Sequence, residues 1–145
     1  MFRLEDSPFY LMAHADFKYH EDMETILHKL GVSKSIYRIL TVLRERQPTS
    51  ISAIAEASLL KRPTVSRIVE RMIEQGLVTA VANAQDNRFT EVSLTASGEE
   101  LLHKLMPVVG RQFTRAMQGI SDRDIQQLVR TLKTIRGNLS KLAIE

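Results

Sequence analysis

A mainly α chain carrying one small β-hairpin is what three features of the sequence predict. Four long segments repeat apolar residues every three or four positions, the period of a helix with one buried face. Between them, residues 50–76 hold two shorter helical patterns joined by a turn. Two β-favouring runs follow, separated by a polar loop.

The first helix is expected over 8–30. Tyr19, Met23, Ile26, Leu27 and Leu30 give its stripe, Pro8 suits its first turn with Ser7 as cap, and Gly31 ends it. The second is expected over 34–46, with Ile36, Ile39, Leu40 and Leu43 facing inward and Pro48 as the stop. Ser50 then caps a short helix over 51–57 that buries Ile51, Ile54 and Ala55. A turn at 58–61 leads to a helix over 63–75, started by Pro63 and stopped by Gly76. Val78–Val81 and the alternating Glu91-Val92-Ser93-Leu94 read as two strands, with 83–88 as the hairpin loop. Helix, turn, helix and hairpin in this order make a winged helix-turn-helix.

Two helices close the chain. One is expected over 97–118, with Ser97 and Glu100 as a capping box, a kink at Pro107, and Leu101, Leu102, Leu105, Val109, Phe113 and Met117 on its apolar face. The last begins at Ser121. Ile125, Leu128, Leu132, Ile135, Leu139 and Leu142 recur at alternating spacings of three and four, a heptad seam that would pack on a partner or on the chain's own core. The chain therefore reads as a single domain, 1–145. Helices at 8–32 and 97–145 would form a dimer, and 33–95 would form the winged part.

Composition sets limits on function. The chain has 145 residues, 43% hydrophobic and 26% charged, enough for one core without disulfides or a structural metal. It has no cysteine, which excludes thiol catalysis, thiolate metal sites and cysteine redox sensing. No apolar run is long enough to span a bilayer, and the N-terminus lacks the plan of a signal peptide, so a cytoplasmic protein without a membrane partner is expected. The net charge is only +3, so a polyanionic partner would have to be met by local placement of basic groups.

That placement is found on the helix at 63–75. On a 100° wheel Val65, Ile68, Val69 and Met72 cluster on one side, and Thr64, Arg67 and Arg71 fall nearly opposite, flanked by Pro63. Lys61 and Arg62 stand before its start. Residues 61–71 hold four basic groups and one acid, Glu70. Such a helix suits N-terminus-first entry into a major groove, where arginine grips phosphate or reads guanine. In the loop, Asp86 is placed to hold Arg88, and a wing-tip arginine suits the minor groove of A·T tracts. The DNA-facing set is Ser50, Lys61, Arg62, Pro63, Thr64, Ser66, Arg67, Arg71, Asp86 and Arg88.

Three stretches together resemble the MarR family of bacterial transcription regulators: Ile51-Ser52-Ala53-Ile54-Ala55-Glu56-Ala57, Thr64 to Met72, and Glu74-Gln75-Gly76-Leu77-Val78. The wing is similar too, with Asp86-Asn87-Arg88 and the exit Val92-Ser93-Leu94-Thr95 closed by Gly98. The chain departs from the family pattern at Arg62-Pro63, at Thr79-Ala80 and in a loop without proline. The resemblance implies a homodimer of first and last helices on a pseudo-palindromic operator, acting as repressor or activator and often released by a small ligand. It also implies that an aromatic acid would sit between the dimer helices and the winged part. Met12, His14, Phe17, Tyr37 and Arg38 are the residues that would line such a pocket, although plain core and dimer packing is the simpler explanation of them.

Other functions are less well supplied. Asp16, His20, Glu24 and His28 follow one another at i+4, but over three turns they cannot all reach one ion, so no metal is expected. No phosphate loop and no G-x-S-x-G elbow occur, so neither an enzyme nor a cofactor is expected. The alternative from another class is a winged helix used only to bind protein, which would not need Arg67, Arg71 and Arg88 on one surface.

Overall fold

The structure, a computed structural model, describes residues 3–86 and 88–141. Asn87 of the loop and Leu142 of the heptad seam lie outside the described residues. After a 3-10 turn at Leu4–Asp6 come α1 (Pro8–Lys29), α2 (Lys34–Glu45), β1 (Thr49–Ser50), α3 (Ile51–Ser58) and α4 (Arg62–Glu74). They are followed by β2 (Val78–Ala82), β3 (Thr90–Leu94), α5 (Ala96–Ala116) and α6 (Asp122–Lys141). This is the mainly α winged helix-turn-helix read from the sequence.

Hydroxyl caps fix most helix starts, each satisfying an amide that the first turn leaves without a partner. Ser7 accepts from the Tyr10 amide at 3.5 Å, Ser33 from Ile36 at 3.2 Å, Ser50 from Ala53 at 3.1 Å and Ser121 from Asp124 at 3.1 Å. Gly31 and Gly76 stop α1 and α4 with φ of 70° and 73°, a region that costs a side chain and suits glycine.

Four details depart from the sequence reading. The hairpin is part of a three-stranded antiparallel sheet of order β1-β3-β2, with Thr49 opposite Val92 and Ala80 opposite Val92 on the other edge. A two-residue strand has no period, so β1 leaves no sequence signal. Arg62 is the first residue of α4 and Pro63 the second, so the arginine expected just before the helix belongs to its first turn. The Ser97–Glu100 capping box does not form. Thr95 takes that role, accepting from the Gly98 amide at 3.0 Å while its hydroxyl donates to the Gly76 carbonyl at 2.6 Å. Glu100 pairs with Lys104 at 2.9 Å instead, and that contact holds its carboxyl below the usual range. Finally, α5 spans Ala96–Ala116 with Pro107 inside it, starting one residue before and ending two residues short of the expected 97–118.

The core joins α1 to α4, β2 and β3 to the first turns of α5. Met23 and Leu27 of α1, Ile36, Ile39, Leu40 and Leu43 of α2, Ile54 of α3, Val78 and Val92 of the wing, and Leu102 and Leu105 of α5 are buried together. The α4 stripe of Val65, Ile68, Val69 and Met72 inserts among them. Each such aliphatic side chain contributes about 1.5–3 kcal/mol on burial. The wing is further locked to α5 by close backbone approach. The Thr95 amide donates to the Leu77 carbonyl at 3.0 Å, and a Cβ on Gly98 would overlap that same carbonyl oxygen. The Val-x-Leu-Thr-x-x-Gly pattern therefore has a packing cause.

Two compact units divide within α5, the first ending at Val109 and the second beginning at Gly110. The second holds the end of α5 and all of α6. On α6 Ile125, Leu132 and Ile135 are half-buried, while Leu128 and Leu139 are exposed.

Candidate nucleic-acid interface

Because α4 commits positions 65, 68, 69 and 72 to the core, its helical period turns 63, 67 and 71 outward. Pro63, Arg67 and Arg71 are exposed, as are Lys61 and Arg62, and Thr64 and Ser66 are half-buried. Lys61 occupies the cap position of α4 without a side-chain cap bond, unlike the serines that start α1, α2 and α3. The first-turn amides of α4, and the positive end of its dipole, thus face the same side as Lys61 and Arg62. The turn before it is tight. Leu60 donates to the Ala55 carbonyl at 3.1 Å, and Leu59 sits in the left-handed region at φ 57° with 90% of its surface exposed.

The wing stands beside this helix. The Arg88 guanidinium makes a two-pronged contact with Asp86, Nε to Oδ1 at 3.0 Å and Nη2 to Oδ2 at 2.8 Å, and the Arg88 amide donates to Oδ1 at 3.1 Å. Those bonds pull the Asp86 carboxyl below its ordinary range and push the arginine further up. The pair is solvent-exposed, so its effect is on direction: it fixes an arginine that is itself 84% exposed.

Between α3, α4 and the wing lies a cleft of about 200 Å³. Of the residues read from the sequence, it gathers Ser50, Arg62, Ser66 and Arg88. Lys61, Pro63, Thr64, Arg67 and Arg71 lie outside it on or before α4, and Asp86 stands behind Arg88 in the loop. The cleft also brings in Ser52, Phe89 and Thr90, which sequence reasoning missed. Ser52 carried a signal, since it sits on α3 between the inward Ile51 and Ile54. Hydroxyls and guanidinium groups around one opening supply donors of the kind that phosphate oxygens accept from.

A second cleft, of about 550 Å³, runs along α1 and the start of α2. It brings Phe17 and Arg38 together with Asp16, His20, Glu24 and Lys34. His20 Nε2 lies 3.1 Å from Asp16 Oδ1. Met12, His14 and Tyr37 do not line it. The His14 ring lies against Tyr10, tilted by 42° with centroids 4.2 Å apart, and Tyr37 packs against the core, where burial raises its hydroxyl pKa. Among the described residues, no three His, Asp or Glu side chains gather as a metal set, and no helix is long and apolar enough to cross a membrane.

Known proteins resemble this chain throughout. A family model described as the MarR family matches residues 27–90. The HTH-type transcriptional repressor IacR of Pseudomonas putida is 34% identical over 97% of this chain and 84% of its own length. The organic hydroperoxide resistance transcriptional regulator of Bacillus subtilis is 26% identical over 92% of this chain and 89% of its own. Among solved structures, a MarR-family transcriptional regulator from Silicibacter pomeroyi superposes with a TM-score of 0.87 at 25% identity, covering 98% of this chain and 96% of that one.

Proposed function

The chain belongs to the MarR family of transcriptional regulators, and from that membership we propose that it is a sequence-specific DNA-binding repressor acting as a homodimer in the cytoplasm. In this reading 33–95 is the DNA-binding part of a single domain, 1–145, and 8–32 with 97–145 make the dimer. The observation that carries it is the cleft of Ser50, Arg62, Ser66 and Arg88 beside a helix whose exposed side bears Arg67 and Arg71. The uncapped α4 enters the major groove, Arg67 reads a base one turn in, Arg71 grips phosphate, and Arg88 enters the minor groove. The cleft hydroxyls and Arg62 hold the strand between them.

Dimerisation is supported by apolar surface that the single chain leaves uncovered. Phe9, Leu11 and Phe17 of α1 and Leu128, Val129 and Leu139 of α6 are all exposed. Release by an aromatic acid is supported by the α1–α2 cleft, where Phe17 offers a ring face and Arg38 and Lys34 offer cations for a carboxylate.

The test begins by selecting duplexes from a randomised pool with the wild-type protein, then measures affinity by fluorescence anisotropy. Arg67→Ala is expected to weaken the selected site by about 1–3 kcal/mol and to relax one base pair in each half-site. A folded Arg67→Ala protein with unchanged affinity and preference, or a pool that yields no enriched sequence, would refute the assignment.

A further inference from the structure

The arginine of the wing is held by Asp86, but Asp86 is itself held by a residue the family pattern does not point to. Asn83 follows β2 and its side chain works in two directions. Its Oδ1 accepts from the Gln85 amide at 2.8 Å and from the Asp86 amide at 3.2 Å. Its Nδ2 donates to Glu91 Oε1 on β3 at 2.6 Å. The chemistry of the partners fixes this orientation of the amide: backbone N–H groups only donate, and a carboxylate only accepts. The Asn83 backbone amide also donates to the Phe89 carbonyl at 2.8 Å, and the Phe89 amide donates to the Asp86 carbonyl at 3.1 Å. The path from the sheet to the guanidinium is therefore continuous, running Glu91, Asn83, Asp86, Arg88.

We propose that Asn83, braced by Glu91, is a positioning residue that sets the direction in which the wing presents Arg88 to DNA. This deepens the reading of Arg88 as a DNA contact and rests on it. Only a side chain with both an acceptor and a donor can fill the position. Aspartate keeps the two bonds to the loop amides but sets a second carboxylate against Glu91. Alanine loses all three bonds and leaves the loop free to turn the arginine away.

The experiment measures affinity for the selected duplex, and for a mixed-sequence duplex with A·T-rich flanks, with thermal unfolding as the check on folding. Arg88→Ala should weaken binding to both. Asn83→Ala should weaken it by about three- to tenfold, the scale of one or two lost hydrogen bonds. In the Arg88→Ala background Asn83→Ala should add no further loss, because it acts only through that arginine. Asn83→Asp should weaken binding, and Asn83→Asp with Glu91→Gln should restore it. The exchanged pair reverses donor and acceptor across the strands and keeps the wild-type charge. An Asn83→Ala protein that binds as wild type, or one that loses as much with Arg88 absent as present, overturns the proposal. Failure of the exchanged pair to recover overturns the role of Glu91. If Arg88→Ala alone changes nothing, the wing reading itself falls, and this inference with it.

Discussion

Gly98→Ala sets two effects of opposite sign against each other in the first turn of α5. Alanine is the better helix former, by about 1 kcal/mol in a helix interior. Against that, the new Cβ would overlap the Leu77 carbonyl oxygen and press on the Leu94 side chain at 3.2 Å. Backbone cannot rotate away as a side chain can, so the start of α5 must move off the wing. That displacement strains two hydrogen bonds, Gly98 amide to Thr95 Oγ1 and Thr95 amide to Leu77 carbonyl, each worth about 0.5–1.5 kcal/mol. Overpacking costs a further 1–3 kcal/mol or so. The clash wins, with a net loss of about 2–4 kcal/mol. For a chain of this size that lowers Tm by roughly 6–15 °C. Differential scanning calorimetry reads it directly. Gly110→Ala is the matched control, since an added Cβ there meets nothing within 4 Å, and it should leave Tm unchanged or slightly raised. A Gly98→Ala protein as stable as wild type would mean that the wing and α5 are not in contact at Leu77.

Replacing Leu132 and Leu139 together with lysine should give a monomer in sedimentation that has lost operator affinity. A wild type that sediments as a stable monomer would end the dimer reading. Leu59→Gly removes the cost of a left-handed conformation at a side chain with 90% exposure, and should raise stability by about 1 kcal/mol; a fall in Tm would show that Leu59 makes a contact in the assembled protein. The Asp86–Arg88 pair follows the carboxylate. Because Asp86 titrates below its ordinary range in the folded protein, the pair is fully formed above that range and is lost only as pH falls through the depressed value. The chemical shift of the Asp86 carboxyl carbon in NMR should therefore stay unchanged from neutral to mildly acidic pH and move only in strong acid, and a change near neutrality would place another titrating group at the wing.

How far the molecule can be read from its sequence depends on the distance over which each signal acts. The inward and outward faces of α4 are legible because a 100° period within one helix sorts Val65, Ile68, Val69 and Met72 from Arg67 and Arg71, and the structure repeats that division. The Asp86–Arg88 contact is legible because two residues of loop bring the partners together. The effector set shows what proximity in sequence misses. Met12 and His14 stand about 200° apart on a helix and cannot share a wall. The wall that forms uses the i+3 and i+4 series Ala13, Asp16, Phe17, His20 and Glu24, so three of the four residues of the polar stripe, all but His28, are one side of the cleft. The spacing of Ser97 and Glu100 marks a cap, but Thr95 fills that role. What favours Thr95 is the return of the chain at Gly76 and Leu77, about twenty residues earlier, which no local spacing reveals. Asn83 is the extreme case. Its role depends on a strand register that puts Glu91 opposite Val81, a pairing set by the hairpin as a whole. The residues that would touch DNA are thus marked by local pattern. Those that aim them are marked by contacts across the sheet, and this is where a substitution outside the DNA-facing set should still change binding.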